Sequence, residues 1–123
     1  MALNPGHYGL EVWQEAMRLA KSIYLATEQL PEKERFGLQS QVRRAAISVP
    51  SNIAEGAARG SKVEYARFLQ IARGSLMEMD TQLWLCQEPG YFRYEEDLKR
   101  SLLEVFVKLN GLIRSKQDKA SRA

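Results

Sequence analysis

Apolar residues recur along this chain at alternating steps of four and three through four long stretches. That spacing lays a single seam along an α-helix and predicts helices, not strands. The first stretch, 10–30, aligns Val12, Ala16, Leu19, Ile23, Ala26 and Leu30. Leu30-Pro31 closes it, because the residue before a proline is driven out of the helical region. The second, 32–59, begins with Pro31 at its first turn and Glu32 and Glu34 beside the positive end of its dipole; Gly60 stops it. Ser61 with Glu64 three residues on reads as the cap of a third helix, 61–88, with the seam Tyr65, Leu69, Ala72, Leu76, Met79, Leu83 and Cys86. Pro89-Gly90 turns the chain. A fourth helix, 94–115, opens on Glu95, Glu96 and Asp97 and carries Leu98, Leu102, Val105, Leu109 and Leu112. Residues 1–9, with Asn4-Pro5-Gly6, read as a loose arm, and 116–123 as a basic tail that frays.

Four helices with three short connections predict an all-α, up-down-up-down, left-handed four-helix bundle, with crossings near ~20°. Each helix also bears apolar residues away from its seam. Trp13, Met17, Ala20 and Tyr24 form such a stripe on the first, Phe36, Ile47, Ala54 and Ala58 on the second, Met77 and Trp84 beside Arg73 on the third, and Leu103, Phe106 and Ile113 on the fourth. A monomeric bundle needs one seam per helix, so the surplus predicts self-association, with Trp13, Met17, Tyr24, Met77, Trp84 and Phe106 at the interface. The plainer alternative is a broad single core with scattered exposed apolar residues.

The second helix holds the densest pattern. At about 100° per residue, Gln41, Arg44, Ser48, Asn52, Glu55 and Arg59 share one polar arc, next to an apolar stripe of Val42, Ala45, Ala46, Val49 and Ile53. A polar ladder at the edge of a buried face must find partners or it destabilises the fold. It therefore reads as a structural network, the alternative being a site in which Asn52 and Glu55 take a polar or phosphate-bearing ligand. Pro50 removes a backbone donor and crowds the Ala46 carbonyl, which costs about 3 kcal/mol unless the chain bends. The apolar stripe keeps its phase across Pro50, which predicts one proline-kinked helix; Asn52-x-x-Glu55 as a capping box would instead make a break.

The run L-Q-S-Q-V-R-R-A-A-I-S-V-P-S-N-I-A-E-G, preceded by P-E-K-E-R-F-G and followed by I-A-R-G-S-L at 71–76, resembles the four-helix-bundle family that includes the intervening-sequence proteins of bacterial large-subunit ribosomal RNA. The same fold family includes the accessory variability determinant protein of diversity-generating retroelements. The resemblance covers roughly 8–114. It implies a ring-like homopentamer, nucleic-acid binding for some members, and no enzymatic activity.

Charge narrows the partner. The chain of 123 residues is 45% hydrophobic with a formal charge of +3, and this charge is unevenly placed. Residues 35–62 hold Arg35, Arg43, Arg44, Arg59 and Lys62 against Glu55 alone, a local +4. From 114 on, Arg114, Lys116, Lys119 and Arg122 face only Asp118, a local +3. The candidate nucleic-acid-binding residues are therefore Arg35, Arg43, Arg59, Lys62, Arg114, Lys116 and Lys119, for RNA or DNA. The alternative is a protein–protein scaffold whose partner, a reverse transcriptase for example, docks without direct nucleic-acid contact.

Catalytic chemistry lacks its residues. His7 is the only histidine and sits in the arm as an exposed polar residue, and Cys86 is the only cysteine and falls on a core seam, so neither a triad nor a cysteine-based metal site is expected. No glycine-rich phosphate loop, H-E-x-x-H or Glu-x-x-His pair is present, and no cofactor or metal is expected. Residues 45–56 mimic a helix-turn-helix, but the turn position falls on Ile47 where a glycine is usual. No signal-like segment or membrane-length apolar run is found, which predicts a cytoplasmic protein.

Overall fold

The computed structural model describes residues 6–122, with side chains to residue 118. Four helices make up the fold: α1 (Glu11–Ala26), α2 (Leu38–Ala57), α3 (Lys62–Gln87) and α4 (Glu96–Arg122). Cross-helix pairs run antiparallel throughout. On α2 and α3, Ser48 meets Ser75 while Gly56 meets Tyr65; on α3 and α4, Arg73 meets Asn110 while Tyr65 meets Lys116. Around the bundle α1 touches α2 and α4, and α3 touches α2 and α4, giving the up-down-up-down four-helix bundle. Residues 1–5 of the expected arm lie outside the described residues, and Gly6–Gly9 form a 3₁₀ turn.

The core is built from the seams. Ile23, Val42, Val49, Ile53, Leu69, Leu76, Met79, Leu83 and Leu109 are all fully buried. Near the end of α4 the pattern departs from the 3.5-residue reading: Ile113 is buried and Leu112 only packs at the edge. A straight helix has 3.6 residues per turn and drifts about 20° per heptad, so by the fourth turn the next residue has rotated into the core. Phe92 and Tyr94, in the connection before α4, are buried as well.

Helix ends differ from their sequence expectation for local reasons. α1 stops at Ala26, where the Thr27 hydroxyl donates to the Ile23 carbonyl at 2.7 Å. The chain continues as a 3₁₀ turn to Gln29 and leaves Leu30 extended before Pro31. α2 begins at Leu38, six residues later than expected, after a 3₁₀ turn over Glu32–Glu34. The acidic complement to its dipole survives in another form, since Glu34 Oε1 accepts from the Leu38 N–H at 3.1 Å. Gly37 permits this, because a Cβ there would lie 2.6 Å from that oxygen. α2 then runs through Pro50 without a break. Ser61 caps α3 by accepting from the Glu64 N–H at 3.1 Å. The expected fraying tail is instead helix, as α4 continues to Arg122; no glycine or proline follows Gly111 to end it.

Candidate nucleic-acid interface and apolar grooves

The polar arc of α2 divides into two parts. Its middle is a packed network: Ser48 Oγ pairs with Ser75 Oγ of α3 at 2.7 Å, and Asn52 Nδ2 donates at 2.9 Å to both the Ser48 carbonyl and Ser48 Oγ. Ser75 is buried and Ser48 and Asn52 are half-buried. The outer members lie in solvent. Gln41 and Arg44 are exposed, and Glu55 pairs with Arg59 at 2.6 Å with both side chains about half exposed (53% and 45%). The polar face therefore turns away from α3 toward both ends of the helix, and only its centre is a buried ladder. Ser75 was visible in the sequence as the small polar residue of I-A-R-G-S-L, but its partner depends on helix pairing.

Two apolar grooves lie between helices. One runs between α1 and α2 and is lined by Trp13, Met17, Tyr24, Ile47, Pro50 and Ala54. His7, expected as an exposed polar residue, is half-buried there, edge-on to Trp13 with ring centroids 4.9 Å apart. The other runs between α3 and α4, with Met77, Trp84, Leu103 and Phe106 as walls and Asp80 and Lys99 at its rim. Since the helices follow chain order around the bundle, these grooves lie on opposite sides of it. Met17, Met77 and Trp84 are 44–47% exposed, so large apolar groups remain in water in both. Trp84 is held edge-on to Tyr94 at 5.1 Å, under the Lys99 ammonium at 4.5 Å. Tyr94 in turn donates to Asp80 Oδ1 at 2.8 Å, and burial together with that carboxylate drives its phenol far up from its ordinary value.

The basic candidates do not form one patch. Arg35 and Arg43 lie at the start of α2 and Arg59 just past its end, about 30 Å away for a helix of 20 residues. Arg43 is committed internally: Nε donates to the Thr27 hydroxyl at 2.9 Å, Nη2 to the Tyr24 carbonyl at 3.0 Å, and the guanidinium stacks 4.6 Å from the Tyr24 ring centroid. Arg43 thus closes the end of α1.

The opposite end of the bundle gathers the rest. Arg59 and Arg67 stack on the Phe68 ring, 4.8 and 5.0 Å from its centroid, and Lys116 of α4 lies 4.6 Å above the Tyr65 ring. Lys62 and Arg114 are exposed there too. Five basic groups face Glu55 and Glu64, which pair with Arg59 and Arg67, so these seven described residues give this end a net +3. Lys119 lies in α4, beyond the described side chains. Arg67 was not legible as a site residue, because its companion Phe68 faces the end of the bundle only after α2 and α3 pair. That pairing is close: a Cβ on Gly56 would sit 3.0 Å from Phe68 Cβ and 3.2 Å from the Tyr65 carbonyl oxygen.

On the α1/α4 side Lys108 bridges Glu11 and Glu15. The hydrogen bond and charge of Lys108 lower the Glu11 carboxyl, and the two carboxylates raise Lys108 in return. Cys86 is fully buried, and desolvation, with a smaller push from Glu34, raises its thiol to about 11. Among the described residues no group of three or more His, Cys, Asp or Glu side chains converges as metal ligands would, and no helix is long and apolar enough to cross a membrane.

Comparison with known proteins agrees with this architecture. No curated protein matches the chain. A crystal structure at 1.70 Å resolution of a protein of unknown function from the S23 ribosomal protein family of Bacteroides thetaiotaomicron VPI-5482 superposes with a TM-score of 0.73. It covers 83% of this chain and 97% of the other at 23% identity, a likeness of fold. The family model of the 23S rRNA-intervening sequence protein matches residues 9–111. Four helices in this order, built on the V-P-S-N-I-A-E-G helix and matched over most of their length, place the chain in the 23S rRNA-intervening sequence protein family.

Proposed function

We propose that this protein is a non-enzymatic, cytoplasmic, self-associating helical bundle that serves as an accessory protein binding RNA or DNA. The observation that carries the nucleic-acid reading is the basic end. Side chains from the α2–α3 junction and from α4, far apart in sequence, converge with their guanidinium groups stacked on Phe68 and an ammonium over Tyr65. Ring contacts hold these basic side chains in place at the surface, which suits contact with a phosphate backbone.

Self-association is supported by the grooves. Two different apolar surfaces on opposite sides of one subunit match a head-to-tail contact, and such a contact closes into a ring if its rotation allows. A ring, five-fold as the family resemblance implies, repeats the basic end in every subunit and produces a field no monomer has. Sedimentation of the intact protein at micromolar concentration tests assembly: the expected species is larger than one chain, Trp84→Glu or Met17→Glu yields smaller species that stay helical by circular dichroism, and a monomeric parent protein refutes it. Titration of nonspecific RNA and DNA against salt tests the partner. Binding is expected to fall steeply with salt and to weaken in a Lys62→Ala, Arg114→Ala, Lys116→Ala triple variant that retains its assembly state. An intact protein that shifts neither RNA nor DNA at about 50 mM salt loses the nucleic-acid reading to a protein scaffold.

A further inference from the structure

The corner where α1 ends and α2 begins holds a surface away from the basic end that adjoins the α1/α2 apolar groove, sharing Tyr24 and Ile47 with it. Phe36, in the turn before α2, is 87% exposed, the most exposed of the large apolar side chains among the described residues. It borders an open surface groove of about 490 Å³ lined by Tyr24, Arg35, Gln39, Arg43, Arg44 and Ile47. No acidic side chain lines it. The Arg35 guanidinium lies 5.5 Å from the Phe36 ring centroid and makes only a loose, exposed ion pair with Glu32 at 3.6 Å. Arg44 is exposed and makes no ion pair or hydrogen bond within the described residues. The Tyr24 wall is held in place by Arg43 through the ring contact and the carbonyl bond.

We propose that this corner is a stacking platform for single-stranded nucleic acid, in which an unpaired base lies on Phe36 and the neighbouring phosphates are taken by Arg35 and Arg44. Charge complementarity selects the occupant. A face with three guanidinium groups, and one carboxylate loosely paired with Arg35 at its margin, repels a basic partner, and an exposed aromatic ring between those cations needs a flat apolar surface carried on an anionic chain. A single strand supplies both at every residue. In a duplex the base faces are already stacked, so its phosphates could reach the arginines while Phe36 stayed in water. Arg43 keeps a supporting part, holding the Tyr24 wall while its own donors remain on α1. The platform stands apart from the proposed phosphate contact at the other end of the bundle, and each can fail without the other.

The test is fluorescence anisotropy of the full chain with labelled eight-nucleotide oligouridylate and oligothymidylate, against a blunt duplex of equal length. Phe36→Ala, at an exposed site and with folding checked by circular dichroism, is expected to weaken single-strand binding by about 5- to 150-fold, the range for loss of one stacked base, while Phe36→Trp retains it. Arg44→Ala is expected to lower the log–log salt slope by about one. The Lys62→Ala, Arg114→Ala, Lys116→Ala variant keeps its dependence on Phe36. A single-strand Kd for Phe36→Ala within twofold of the parent, or an equal loss of duplex and single-strand binding in Phe36→Ala, overturns the platform; persistence of salt-dependent binding in that case leaves the basic-end reading intact.

Discussion

Arg43 of α2 reaches the end of the neighbouring helix and donates from Nε to the buried hydroxyl of Thr27 at 2.9 Å, while Thr27 itself donates to the Ile23 carbonyl at 2.7 Å. Arg43 Nη2 also donates to the Tyr24 carbonyl at 3.0 Å, so a carbonyl in the last turn of α1 is satisfied by a side chain 19 residues away, aided by Gln39 Nε2 on the Thr27 carbonyl at 2.9 Å. A helix end without such partners leaves orphan acceptors. Arg43→Ala is expected to destabilise the bundle by about 1–3 kcal/mol, the range for bonds to a charged donor, read as a lower urea midpoint at constant slope. Arg43→Lys restores less than half, because an ammonium lacks the planar fork that spans Thr27 and Tyr24. An unchanged midpoint for Arg43→Ala would return this residue to the surface-binding set.

Glycines in the helices are expected to respond in opposite senses. Alanine in a helix interior gains about 1 kcal/mol over glycine, and Gly74 and Gly111 have no foreign atom within 4 Å of a built Cβ. Gly74→Ala and Gly111→Ala should each stabilise by about 0.5–1 kcal/mol. Gly56→Ala should destabilise by about 1–3 kcal/mol, since its Cβ meets backbone and Cβ atoms of α3 at 3.0–3.2 Å and neither can swing away. Thermal melts of the three variants decide the matter, and a stabilised Gly56→Ala sinks the close-packing account.

The divided polar arc predicts unequal losses. Glu55→Ala removes only an exposed pair with Arg59 and should cost less than about 1 kcal/mol, diminishing further in high salt. Asn52→Ala removes two bonds at 2.9 Å in a half-buried place and should cost about 1–2 kcal/mol. Denaturant unfolding that ranks Glu55 above Asn52 would show that the arc is a single desolvated network after all.

Cys86 links stability to alkaline pH. Burial raises its thiol to about 11 in the folded protein, whereas a free cysteine titrates near ~8.5. The folded state thus holds the proton more tightly, and stability falls with pH wherever it binds more protons than the unfolded chain. The contribution is complete below about pH 8.5 and is lost as pH rises through about 11, a span of up to ~3 kcal/mol. Unfolding midpoints taken from pH 8 to 11 should decline more steeply for the parent than for Cys86→Ala. At pH 8 a thiol reagent should modify Cys86 only at the rate of opening.

The sequence determined the number of helices, their order, the bundle class and most of the buried positions within the helices, though not Phe92 and Tyr94 in the last connection, because a 3.6-residue repeat of apolar side chains has one economical solution when the connections are short. It also determined the Ser61 cap of α3, whose partner Glu64 lies three residues away. Tertiary structure decided what depends on distant groups. Whether Arg43 is a surface cation or the closing cap of α1 turns on Thr27 and Tyr24 of another helix. Similarly, Arg59, Arg67 and Lys116 become one basic end only through the rings of Phe68 and Tyr65. The late start of α2 needed Glu34 to fold back over Gly37, and the continuation of α4 past Ser115 put Lys116 over Tyr65. Periodicity reports which face of each helix is apolar; which polar side chains meet at the ends is set by the antiparallel register of the bundle, and no local pattern encodes that register.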